Sequence, residues 1–144
     1  MKTIRRSALV ARAPERVFEV IADVSRYPEF VPACRAARVE SASADEVLAT
    51  LEIRRGPIDA AFTTRNRLEP HSRIAMSLVD GPFSVLEGAW AIAPLGAQGC
   101  RIDLDLSFEF ARGFPSALLD PFFEDLAHSL VDAFVQRARA GTRA

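Results

Sequence analysis

Between Cys34 and Phe110 apolar residues recur at every second position, and beyond Gly113 they recur at every third or fourth. The first pattern belongs to strands with one buried face and the second to a helix. The clearest stretch is Cys100 to Phe110, with Cys100, Ile102, Leu104, Leu106, Phe108 and Phe110 on one side and Arg101, Asp103, Asp105, Ser107 and Glu109 on the other. A chain built this way must hide one face of an antiparallel sheet, and the terminal helix is the one element long enough to cover it.

Turn residues divide the strand region. Gly56-Pro57 sets a register in which facing positions sum to 113, pairing Ile53 with Ala60, Leu51 with Phe62, Ala49 with Thr64 and Val47 with Asn66 on one face. The other face then carries the charge pairs Arg54 with Asp59 and Glu46 with Arg67. Asp80-Gly81-Pro82 joins Arg73–Val79 to Ser84–Ala93, with Leu78 facing Leu86, Ile74 facing Trp90, and Met76 and Gly88 between them. Ahead of this region, Thr3–Ala11 reads as a first strand and Pro14–Asp23 as a helix with Pro14 at its first position. The two prolines of Ser25–Pro32 favour a short kinked helical turn. After Gly113, Asp120 is expected to cap the long helix with Pro121 at its first position, leaving Ser116–Leu119 as a separate turn. That helix runs to about Arg139, roughly 19 residues and ~28 Å.

The expected architecture is therefore α+β: about seven antiparallel strands wrapped around a long C-terminal helix, with two short helices after the first strand. At 144 residues and 49 % hydrophobic content, one domain over residues 1–144 is expected. A net charge of -1 gives no global field for polyanions, and no DNA partner is expected. Cys34 and Cys100 form no paired motif, and His71 and His128 fall on no metal-ligand spacing, so no metal is expected. No stretch has ~18 uninterrupted apolar residues, and a cytoplasmic location with reduced, buried thiols follows as the expectation. Neither histidine has a serine or cysteine placed in reach by the pattern, and the strand carboxylates alternate outward; no catalytic residue and no enzymatic activity is expected.

The motifs Tyr27-Pro28-Glu29-Phe30-Val31-Pro32 with Cys34, Phe62-Thr63-Thr64-Arg65-Asn66, Leu78-Val79-Asp80-Gly81-Pro82-Phe83 with Leu86, Gly88 and Trp90, Phe108-Glu109-Phe110, and a terminal helix with Leu130-Val131, Ala133-Phe134 and Arg137-Ala138 follow in order. Together they resemble the START-like polyketide cyclase/coenzyme Q-binding family, and within it the bacterial ribosome association toxin branch; Ala33 departs from the bulkier residue many members carry there. The resemblance implies a helix-grip (Bet v 1-like) fold with a hydrophobic tunnel. For some members it implies binding of ubiquinone or a related isoprenoid lipid, with peripheral membrane contact for lipid exchange. For the toxin branch it implies binding to the large ribosomal subunit and blocked subunit joining. Cyclase activity is a third, superfamily-level implication. The lead expectation is a non-catalytic binder of ubiquinone or a similar lipid, requiring no cofactor, with the toxin as the alternative.

For the lipid reading, Tyr27, Phe30 and Phe83 would form a mouth. Phe62, Met76, Trp90 and Phe108 would line the tunnel opposite Phe123, Leu126 and Leu130. Thr64 and Asn66, turned inward by the register, would offer hydrogen bonds to a ligand carbonyl. The other readings are that Tyr27, Phe30 and Phe83 staple the short helix and the hairpin to the core, that Thr64 and Asn66 sit in a satisfied core network or near the open edge of the sheet, and that the rest are plain core. For the ribosomal reading, Arg54, Arg65 and Arg67 on the outer face would meet RNA phosphates, as would a second cluster at Arg5, Arg6, Arg12 and Arg16. Pairing with Glu46, Glu52 and Asp59 is the competing account of the outer-face arginines.

Overall fold

The computed structural model describes residues 1–140. Strand β1 (Lys2–Val10) leads into helix α1 (Pro14–Ala22) and a 3₁₀ turn over Val24–Glu29. Six strands follow: β2 (Cys34–Ala42), β3 (Glu46–Arg55), β4 (Ile58–Glu69), β5 (Arg73–Asp80), β6 (Phe83–Leu95) and β7 (Gly99–Phe110). Helix α2 (Ser116–Ala140) completes the element order. The strands make one antiparallel sheet in the order β1-β7-β6-β5-β4-β3-β2, so the first strand returns to pair with the last.

The β3–β4 register is the one the turn chemistry predicts: Ile53 faces Ala60, Ala49 faces Thr64, Arg54 faces Asp59 and Glu46 faces Arg67. Gly56 carries the turn at φ 58, the positive value a two-residue hairpin requires at its first central position, and Pro57 follows without strain. Ile74 faces Trp90 and Met76 faces Gly88, also as expected.

Helix α2 departs from expectation at its start. It runs for 25 residues, about 37 Å, and includes Ser116–Leu119 and Pro121 in one continuous element. The Pro115 carbonyl accepts from the amides of Leu118 and Leu119, so the helix is already nucleated before Pro121. Pro121 forfeits the intrahelical bond to the Ala117 carbonyl and sets its ring against that carbonyl, a cost that the apolar contacts of Leu119, Phe122 and Phe123 offset.

The inner face of the sheet, α1 and α2 enclose a single apolar core in which Phe108, Cys100, Val131 and Ala138 are fully buried. Its rings fall into two groups. Phe134 of α2 meets Trp90, Tyr27 and Phe30 at centroid distances of 5.0, 5.2 and 5.9 Å. Phe123, eleven residues earlier, meets Phe108, Phe83 and Phe62 at 4.7, 5.1 and 6.2 Å. Truncating either α2 anchor to alanine is expected to cost about 3–5 kcal/mol.

Candidate functional site

Between the two aromatic groups lies an interior cavity of about 80 Å³. Of the twelve inward residues singled out from sequence, nine line it: Tyr27, Phe62, Thr64, Asn66, Met76, Trp90, Phe123, Leu126 and Leu130. The other three lie elsewhere. Phe30 packs on Phe134 and beneath the Arg137 guanidinium, 4.7 Å from its centroid. Phe83 lines an outer cleft, and Phe108 is sealed behind Phe123 with no exposure at all. Tyr27, Phe30 and Phe83 thus form no common mouth: the first two belong to the Phe134 group and the third to the Phe123 group. The lining also draws on residues not singled out, among them Val31, Cys34, Ala49, Leu104 and Phe134. Phe134 stands four residues beyond Leu130 on the same stripe, the spacing that identifies it as a neighbour.

Two donors in this lining differ in their fate. The Tyr27 hydroxyl donates to the Ile21 carbonyl, and burial pushes its pKa far above the ordinary phenol range. The Thr64 hydroxyl donates to Asn66 Oδ1 at 2.9 Å, so the two polar side chains of this wall pair with each other. Cys34, also in the lining, has its thiol pushed up to about 11, chiefly by burial, and is thus a neutral wall group at physiological pH.

The hairpin end of the molecule carries a second concavity, an apolar cleft of about 380 Å³ between the β3–β4 turn, Pro82 and Phe83, and the start of α2. Ile53, Phe62 and Phe123 line both it and the interior, so these side chains are the partition between the two spaces. Gly81 holds Phe62 in place: its φ is 150, and a Cβ there would stand 2.6 Å from Phe62 Cβ. Phe114 and Leu118, about half exposed, form the outer rim of the cleft.

On the outer face of the sheet, arginines of β2–β4 share carboxylates. Glu46 lies 3.4 Å from Arg65 and 3.7 Å from Arg67, and Glu52 lies 2.6 Å from Arg35 and 2.7 Å from Arg38. The bonds from Arg38 and Arg35 hold Glu52 below the usual carboxylate range. Arg54 reaches Asp59 only at 4.0 Å. Across the sheet the balance reverses: Glu87, Asp103, Asp105 and Glu109 share the β6, β7 and β1 part of that face with Arg5 and Arg101. The other sequence-marked arginines turn to α2. Arg6 donates to the His128 carbonyl and Asp132, Arg12 to the Arg139 carbonyl, and Arg16 to the carbonyls of Arg137 and Ala138.

Among the described residues no three histidine, cysteine or acidic side chains cluster as metal ligands. His71, at φ 65, sits edge-on to Phe18 at 5.6 Å on the surface and does not line the cavity. No described helix is long and apolar enough to cross a membrane.

The chain is 43 % identical over 136 residues to the ribosome association toxin RatA of Pseudomonas aeruginosa, with 94 % of each chain covered. It is 30 % identical over 129 residues to coenzyme Q-binding protein COQ10 homolog B, mitochondrial, of Xenopus laevis, spanning 86 % of this chain and 52 % of that relative. The fold matches the Zhui aromatase/cyclase of Streptomyces sp. R1128 with a TM-score of 0.88 at 19 % identity, covering 99 % and 96 % of the two chains. Residues 10–135 match the family model described as polyketide cyclase / dehydrase and lipid transport. With nearly the whole helix-grip unit inside that match, the chain belongs to the polyketide cyclase / dehydrase and lipid transport family.

Proposed function

We propose that the protein is a ribosome association toxin that docks the outer face of β2–β4 on RNA of the large subunit and prevents subunit joining. The observation that carries this reading is the end-to-end similarity to a chain of that name, where the coenzyme Q-binding relative is more distant and is matched over only 52 % of its own length. The surface supports it. Arg35, Arg38, Arg54, Arg65 and Arg67 stand among only four partner carboxylates there, with side chains about half or more exposed. Guanidinium groups that share a carboxylate retain free N–H donors for phosphate. This places the ribosomal role ahead of the lipid role that the sequence motifs put first, and it calls for no catalytic residue, metal or cofactor.

The test uses purified subunits. Preincubating large subunits with the protein and then adding small ones is expected to deplete the joined-ribosome peak on a sucrose gradient, and R65E/R67E is expected to restore it. Full joining in the presence of a tenfold molar excess of the wild-type protein would remove the reading.

Ubiquinone binding stands second, supported by the apolar interior and the coenzyme Q-binding relative. Peripheral membrane contact for lipid exchange belongs to this reading, and the exposed Phe114 and Leu118 are where such contact would fall. Space weighs against it: the interior offers about 80 Å³, roughly half of the ~150 Å³ in an engineered cavity that takes benzene.

A further inference from the structure

A run of hydrogen bonds crosses the centre of the outer face of β2–β4, between its arginines. Glu40 is the extra residue of a bulge in β2, between Val39 and Ser41, and its Oε2 accepts from the Thr50 hydroxyl of β3 at 2.8 Å. Thr50 Oγ1 also lies 2.7 Å from Thr63 Oγ1 of β4. A carboxylate only accepts and a hydroxyl has one proton to give, so Thr50 gives its proton to Glu40 and Thr63 gives its own to Thr50. Both hydroxyl protons are thus directed toward Glu40. What stays free at the centre is acceptor capacity alone: the partly exposed Thr63 oxygen and Oε1 of the exposed Glu40.

The flanks offer the opposite. Arg35 and Arg38 on β2 and Arg65 and Arg67 on β4, about half or more exposed, supply donors only, and the two strands stand two spacings, about 10 Å, apart. No ring joins them, because Phe62, the one aromatic residue of β2–β4, lines the interior cavity. The complement of this face is an array with anionic acceptors along two edges and donors between them, held without base stacking. Single-stranded RNA has one backbone and is recognised chiefly by stacking of its unpaired bases. A DNA duplex has two phosphate rows but no hydroxyls between them. The wide, shallow minor groove of an A-form RNA helix has both, with 2′-hydroxyls and base edges between its two backbones.

We infer that this face reads the minor groove of a double-stranded RNA segment, the two pairs of guanidinium groups holding the opposite phosphate rows and Thr63 and Glu40 accepting from 2′-hydroxyls between them. The inference rests on the ribosomal reading for the class of partner and deepens it, naming a duplex and adding two residues that tell RNA from DNA.

The test compares a short RNA duplex, the DNA duplex of the same sequence and one of the RNA strands alone by fluorescence anisotropy at a single salt concentration, beside the subunit-joining assay. The RNA duplex is expected to bind at least tenfold more tightly than either of the others. Thr63→Val keeps the shape and removes the hydroxyl; it is expected to lower the RNA-to-DNA affinity ratio at least threefold while the affinity for the DNA duplex stays within twofold of wild type. Glu40→Gln replaces the free acceptor by a donor and removes a negative charge beside Arg38, so it is expected to lower the same ratio while tightening binding of the DNA duplex. R65E/R67E is expected to weaken both duplexes together. Equal affinity for the RNA and DNA duplexes, tighter binding of the single strand, or a ratio unchanged in both folded variants overturns the inference. So does the absence of duplex binding; where joining is still blocked, that result leaves the ribosomal reading in place. Selective binding of the RNA duplex with full subunit joining does the reverse, supporting the minor-groove site and removing the ribosomal reading.

Discussion

Arginine serves two regions of this molecule in opposite ways. Near the end of α2, Arg12 from the β1–α1 connection and Arg16 from α1 reach across and donate to main-chain carbonyls of Arg137, Ala138 and Arg139. The last four carbonyls of a helix lack intrahelical partners and carry the negative end of its dipole, so these guanidinium groups are spent on the fold. On β2–β4 the guanidinium groups, themselves about half or more exposed, meet side-chain carboxylates instead, two to the exposed Glu46 and two to the partly buried Glu52. Exposed pairs of this kind contribute little to stability and keep donors open to solvent. The acceptor, more than the residue type, decides whether an arginine here belongs to the fold or to a partner.

Arg16→Ala is where the contrast should be largest. Its side chain is three-quarters buried and holds two carbonyls at 3.0 and 3.3 Å, so its loss is expected to cost about 2 kcal/mol by urea denaturation, leaving ribosome binding per folded molecule unchanged. R65E/R67E is expected to do the reverse: stability within about 0.5 kcal/mol of wild type, and association with large subunits weakened about tenfold or more. The salt dependence gives the sharper reading. Each phosphate contact contributes roughly 0.7–0.9 to the slope of log K against log salt, so the double variant should flatten it by about 1.5. A slope lost equally in Arg16→Ala would erase the distinction between the regions.

The fold was legible in the sequence because strand alternation and turn chemistry are local. Gly56-Pro57 alone determines which residues of β3 and β4 face each other, and so turns Thr64 and Asn66 inward. The start of α2 was not legible, because proline at position 121 reads as a helix start, whereas the structure has it in the second turn of a helix already begun at the Pro115 carbonyl. The inward set was legible only as a face. Facing inward separates neither a cavity wall such as Trp90 from a sealed residue such as Phe108, nor the Phe134 group from the Phe123 group, since those distinctions depend on how α2 lies across the sheet. The two arginine regions look alike in sequence for the same reason: the carbonyls that absorb Arg12 and Arg16 lie more than 120 residues away.

Removing a carboxylate should sharpen the contrast more gently than removing an arginine. Glu46→Gln takes the one negative charge from between Arg65 and Arg67, and ribosome association is expected to strengthen about two- to threefold with stability nearly unchanged.

The smallest effect expected is a titration. Hydrogen bonds from Arg38 and then Arg35 hold the Glu52 carboxyl below the ordinary glutamate range, so the ionised form is favoured in the folded protein. A carboxyl with a depressed folded-state pKa contributes its stabilisation above the unfolded value, about 4.3, and loses it as pH falls through the lower folded value. The pair with Arg35 and Arg38 should therefore persist into mildly acidic solution. In an Arg35→Ala/Arg38→Ala variant the midpoint of Glu52, followed by its side-chain carbon shift in NMR, is expected to rise to the ordinary glutamate range, with little change in the unfolding midpoint at pH 7. If the midpoint stays low without both arginines, those two guanidinium groups are not what the carboxylate occupies, and they would be freer for phosphate than their 2.6 and 2.7 Å contacts suggest.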